Sequence, residues 1–145
     1  MIVIDNKLGG YMHDLTLNSV VVAAERWTSS SSCVGVFHSV PCSQWCAIRC
    51  RGDGGPPQLF SRDYPDGISG PTGVVPPTAS NAVLLAANCL KICRAAIRCG
   101  TPAIGENPVS RGQGSPWAIV GHETHSSFYD LIVVKEFQTD TGSEE

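Results

Sequence analysis

Lysine occurs only three times in 145 residues, at Lys7, Lys91 and Lys135, and charged residues of both signs make up 16% of the chain, against roughly 25% in an average domain. The formal net charge is -3. No basic stripe is present to neutralise phosphates, so nucleic acid is not an expected partner. No uninterrupted apolar run approaches the length of a membrane span, and no membrane partner is expected either. Met1 to Asp5 lack a basic leader region and offer only a short apolar run, which does not read as a signal peptide. The seven cysteines, an odd number, then read as reduced thiols, and the expected location is cytoplasmic. A domain this poor in charge has difficulty covering itself with polar groups. Either Ser, Thr, Asn and Gly supply the polarity, or apolar surface is hidden in a homo-oligomer or against another partner.

What the chain does have is one segment of plain meaning, Ala79 to Cys99. Asn81, Asn88, Lys91, Arg94 and Arg98 share a stripe at helical spacing, and the remaining positions, among them Val83, Leu90, Ile92 and Cys93, are apolar. So wide an apolar sector predicts a helix over 79–99 that is covered on more than one side. Thr78 or Ser80, after Pro76-Pro77, is the expected N-cap, and Gly100 followed by Pro102 is the stop.

The rest of the chain is read from its local patterns. Residues 1–5 read as a strand. Residues 15–27 read as a second helix, with Leu17, Val20, Val21, Ala24 and Trp27 at helical spacing and Asp14 as cap. Cys33 to Val40 alternate as a strand, and Gln44 to Arg51 follow as another. Arg51 to Pro77 and Thr101 to Ser115 are long connections rich in Gly and Pro, the first a natural place for a binding site. Trp117 to Gly121 and Phe128 to Phe137 read as two further strands, and residues 138–145 as a polar C-terminal tail. The sum is one α+β domain over residues 1–145, with a mainly antiparallel sheet of about five strands packed on or around the central helix.

Three constellations bear on chemistry. His122-Glu123-Thr124-His125 lacks the two-residue gap of a zinc-protease helix, but it sets carboxylate beside imidazole, the arrangement that tunes a general base. His122, Glu123 and His125 are therefore the candidate catalytic residues. Tyr129 and Asp130, across an expected turn, and the anion-holding Arg62 and Arg111 are the candidate ligand-binding residues. Cys42, Cys46 and Cys50, with His38 four residues earlier, are spaced by four. Zinc knuckles pair cysteines more tightly and then repeat the pair, so packing is the expected role, with neither metal nor cofactor. Pro41-Cys42 with Cys46 is one residue too long for the Pro-Cys-x-x-Cys half of zinc deaminases. Cys89 and Cys93 fall in the apolar sector of the central helix and read as core. Finally, the glycine loops Arg51 to Gly55 and Ser110 to Ser115 each carry an arginine, but neither opens a helix as a phosphate loop does.

Function is read accordingly. The first expectation is a small non-enzymatic domain that self-associates and binds a small molecule or a protein. The alternative is a small hydrolase or lyase using the His/Glu pair as acid and base, and a further alternative is a thiol or zinc site at His38 and the spaced cysteines.

Overall fold

The computed structural model describes residues 4–40, 42–46, 49, 57–107, 120 and 124–143. In chain order its elements are α1 (Asn6–Gly9), α2 (Asn18–Thr28), β1 (Val36–Ser39), α3 (Pro77–Arg98), β2 (Ala103–Glu106) and α4 (Ile132–Thr141). Short 3-10 turns occupy Gly10–His13, Cys42–Gln44 and Phe128–Asp130.

The central helix forms as its pattern predicts, with a different start. Neither Thr78 nor Ser80 caps it. Pro76 is the N-cap, in extended backbone (φ -56, ψ 140), and Pro77 takes the first helical position, where a missing N–H loses no hydrogen bond. The stop is as expected. Gly100 adopts φ 77; its N–H donates to the Ile97 carbonyl at 2.9 Å and the Thr101 N–H to the Ala96 carbonyl at 3.0 Å. These are the paired bonds of a Schellman motif.

The buried residues of α3 include Ala79, Ala82, Ala86, Cys89, Cys93 and Ala96. They recur at alternating steps of three and four, so six small side chains form one seam down the helix. Neighbouring elements can therefore come close to the α3 backbone. On one side lies the main core, where Trp45, Phe60, Phe128, Leu131, Val134 and Phe137 pack against α3. On the other, Val21 and Ala24 of α2 close on Ile92. The Asn88 amide donates to the Leu15 carbonyl at 2.6 Å, tying α3 to the turn before α2. By length and composition α3 is also long and apolar enough to cross a membrane, with 39% of its most apolar window buried. It reaches that length only as an average, since Asn81, Asn88, Lys91 and Arg94 interrupt the apolar run.

Trp45 is the hub of the main core. It is 1% exposed, stacks on Phe60 with ring centroids 5.3 Å apart, and meets Phe128 edge-on at 5.6 Å.

The expected five-stranded antiparallel sheet does not form. Among the described residues there is one sheet of two strands, and they are parallel, with Val36 opposite Ala103 and Ser39 opposite Glu106. Mixed α+β is the most the structure supports. Each miss has a physical reason. Phe128 to Phe137 is rich in β-branched residues and reads as a strand, yet strand alternation would turn Glu136 to the same face as Val134. Helical spacing instead buries Leu131, Val134 and Phe137 together, and residues from Ile132 onward are helix. The Asp130 carboxylate accepts from the Ser127 N–H at 2.8 Å, a capping box just before α4. The helix runs on to Thr141, through the first part of the expected tail.

Thr101 to Ser115 was expected to be a plain connection, but Ala103–Glu106 pair with β1 as β2. Two parallel strands alone are marginal. Side chains extend the ladder at both ends: Thr101 Oγ1 donates to the Cys33 carbonyl at 3.2 Å and Asn107 Nδ2 to the Val40 carbonyl at 3.1 Å. Ile4 and Asp5 are not strand, and residues 1–3 lie outside the described set. In the expected strand 44–51, Gln44 ends a 3-10 turn and Trp45 and Cys46 are irregular; residues 47, 48, 50 and 51 lie outside the described set, as do 117–119 and 121 of the expected strand 117–121. The second helix starts at Asn18, not at Leu15, because Asp14 forms a local turn instead of a cap. Its carboxylate accepts from the Thr16 N–H (2.9 Å) and hydroxyl (2.8 Å), which holds it below the usual carboxylate range.

The seam makes a direct prediction. Ala86 is fully buried in it, whereas Ala87 is only half-buried. Ala86→Leu is expected to lower unfolding stability by about 1–3 kcal/mol through overpacking, and Ala87→Leu by less. Urea titration of the two variants checks this.

Candidate functional site

The sequence points first to the residues around His125. His122, Glu123 and Arg111 lie outside the described residues. His125 is deep in the core, and its Nε2 lies 2.8 Å from the Trp45 carbonyl. A carbonyl only accepts, so this nitrogen carries the proton. The imidazole thereby anchors the Trp45 backbone from inside, which is a structural role. Arg62 is exposed one residue from the Ser61–His125 bridge, and its backbone N–H donates to the Thr124 carbonyl at 3.3 Å. Asp130 holds the capping box and lies 3.9 Å from Lys135 Nζ. Tyr129 packs edge-on against Phe128 at 5.5 Å. The fold thus brings Arg62, His125, Tyr129 and Asp130 into one neighbourhood, where the 57–68 loop meets the approach to α4. Asp66 accepts from the Ile132 N–H there at 3.3 Å. Asp130 serves the backbone and Tyr129 the aromatic core, and neither of the two hollows described below is lined by any of these four residues.

The hollow lies elsewhere. Where the segment after α2 crosses to β1, it arches over α3 and leaves a cavity of about 460 Å³. That volume is within the roughly 300–1,000 Å³ of small-molecule sites. Trp27 at the end of α2, Val36 of β1 and Ile92 of α3 form its apolar wall, and Cys33, Cys89 and Cys93 place three thiols in it. Trp27 and Val34 are largely exposed and mark the open side. Among the described residues that line it, none is charged. The Thr28 and Ser30 hydroxyls, also in the lining, donate to the last carbonyls of α2, at 3.2 and 2.8 Å. A second hollow of about 270 Å³ lies beside Trp45 and the start of α3.

Comparison with known proteins adds nothing to this geometry. No family model, no curated protein and no solved structure matches the chain.

The electrostatics follow from burial. The Cys89 thiol is pushed up to about 11 by burial, and the Cys93 thiol to about 12 by burial and then by the neighbouring Cys89. Both are neutral thiols at neutral pH. His38 also lines the cavity; desolvation holds its imidazole below the ordinary 6.5. Its ring lies over Gly105, its partner across the sheet, where any Cβ would collide with it. Among the described residues no group of three His, Cys, Asp or Glu side chains is placed to hold a metal ion. Cys46 is a free, half-buried thiol, while the Cys42 side chain and all of Cys50 lie outside the described residues.

Sequence reasoning placed Cys89 and Cys93 on the buried face of the helix but did not find the cavity. Its lining comes from α2, β1 and α3 together, and no local pattern announces that they diverge there. The one available signal was Trp27, a large aromatic at the last turn of a short helix.

His38 sets a pH dependence. Its folded pKa lies below the unfolded value, so the unfolded chain binds more protons in acid. The stability that neutral His38 contributes is complete above about pH 6.5 and is lost as pH falls through its folded pKa. Urea midpoints measured from about pH 7 down to about pH 5 should fall, and His38→Gln should flatten that part of the profile. In the core, His125→Ala should lower stability by about 1–3 kcal/mol at neutral pH, because it orphans the Trp45 carbonyl; thermal unfolding reads this.

Proposed function

We propose that the protein is a small-molecule-binding module whose site is the open-sided cavity between α2, β1 and α3. The observation that carries this reading is a mainly apolar hollow of about 460 Å³ with no charged side chain among the described residues of its lining. An uncharged, low-dielectric wall disfavours ionic ligands, since burying an unpaired charge there is costly. The ligand class it favours is neutral and largely apolar, with Trp27 available for aromatic contact at the mouth. The free thiols Cys33, Cys89 and Cys93 suit the reducing, cytoplasmic setting we propose with it.

A specific observation favours self-association as a second property. Phe37 and Ile104 are register partners on the outer face of the sheet, 69% and 65% exposed. Apolar neighbours left in water on a two-stranded sheet make a contact surface for a second copy.

Both readings are open to measurement. N-phenylnaphthylamine, a neutral fluorophore that brightens out of water, should bind the folded chain, and Trp27→Ala should weaken it about tenfold. Equal binding by wild type and variant would remove the cavity as the site. Ile104→Asp, at a position outside the cavity lining, should shift any oligomer toward monomer in analytical ultracentrifugation while leaving probe binding intact; an unchanged distribution excludes the sheet face as the interface.

A further inference from the structure

Three thiols line the cavity, and two of them stand one helical turn apart. Residues four apart on a helix have Cβ atoms about 5–6 Å from each other on one face, and Cys89 and Cys93 both sit on the cavity side of α3. They are close enough for Cys89 to act electrostatically on Cys93. Cys33 joins the lining from the segment before β1, with its Sγ 3.6 Å from the Gly35 carbonyl. Packing alone is served by alanine at four other positions of the same seam. The two cysteines fall where the seam passes the hollow.

We propose that Cys89 and Cys93 form a dithiol capture site for a small apolar molecule carrying a soft, thiol-seeking centre, of which a trivalent arylarsenical is the simplest representative. The proposal rests on the cavity being a binding site and names the chemistry it accepts. The apolar body lies against Trp27, Val36 and Ile92, and the soft atom reaches both sulfurs. Sulfur ligands are the ones that select soft centres. With an arsenoxide, R–As=O, each thiol gives up its proton and forms one arsenic–sulfur bond. The arsenic–oxygen bonds break and the oxygen leaves with both protons as water. Arsenic stays trivalent, so no oxidant or reductant enters. Because both thiols are neutral and buried, simple alkylating agents that need an accessible thiolate react slowly here. Capture through two bonds to one centre is what distinguishes the pair from a scattered set of cysteines.

The test uses the reduced full-length chain and phenylarsine oxide. After treatment, remaining thiols are alkylated with iodoacetamide in denaturant and the peptides are mapped by mass spectrometry. Joint protection of Cys89 and Cys93, with one arsenical per chain in the intact mass, is the expected result. Phenylarsine oxide should also displace N-phenylnaphthylamine. The Cys89→Ala, Cys93→Ala double variant should keep naphthylamine binding and lose the arsenical. Protection at Cys42, Cys46 and Cys50 with Cys89 and Cys93 left alkylated would overturn the proposal, as would no capture at all. A chain that binds the naphthylamine but leaves Cys89 and Cys93 unprotected defeats the dithiol site and leaves the binding module standing. A chain that binds neither defeats both. If the double variant does not fold, the wild-type protection map alone decides.

Discussion

Side-chain size along one line of α3 governs how near everything else can come. Ala79, Ala82, Ala86 and Ala96 project only a methyl group, so the aromatic cluster around Trp45 can pack close to the helix on one flank. α2 packs on the opposite flank through Val21 and Ala24, which are small in turn. α4 is held against α3 by Phe137, with the Arg94 guanidinium 5.4 Å above its ring and paired with Asp140 at 2.9 Å. The exposed ion pair adds little by itself; the burial of Leu131, Val134 and Phe137 is the larger contribution. A helix apolar over most of its circumference needs such cover on two sides. The cavity lies where that cover is incomplete, between α2 and β1.

The parts of the fold that could be read beforehand are those whose signals are local. α3 announces itself by a long periodic pattern between a proline pair and a glycine, and even its Schellman stop is visible as Gly100. α2 and β1 are visible for the same reason, with ends shifted by a few residues. α4 and β2 were not. Ile132-Val133-Val134 has strand-like composition, and only the neighbours Leu131 and Phe137 show that the buried set recurs every three residues. β2 is four residues amid Gly and Pro, and it exists because β1 offers an edge. Tertiary pairing decided both cases against local propensity.

The candidate site divides in the same way. Cys89 and Cys93 could be placed on the buried face of α3 from periodicity alone. That they border a hollow depends on three elements failing to close, which no single segment encodes. His125 shows how much depends on surroundings that the sequence does not display. In the sequence it stands two residues from Glu123; in the fold its ring nitrogen faces the Trp45 carbonyl inside the core. A polar residue in a cluster acquires its role from what is buried around it.

The parallel pairing of β1 with β2 has a further consequence. Asn107 and Val40, which end the ladder, are 67 residues apart in sequence, and all of α3 lies between them. Closing so large a loop carries an entropic cost, and a formed α3 shortens the span to be closed. During synthesis, β1 leaves the ribosome before β2 has been made, so for that interval Phe37 has no strand beside it.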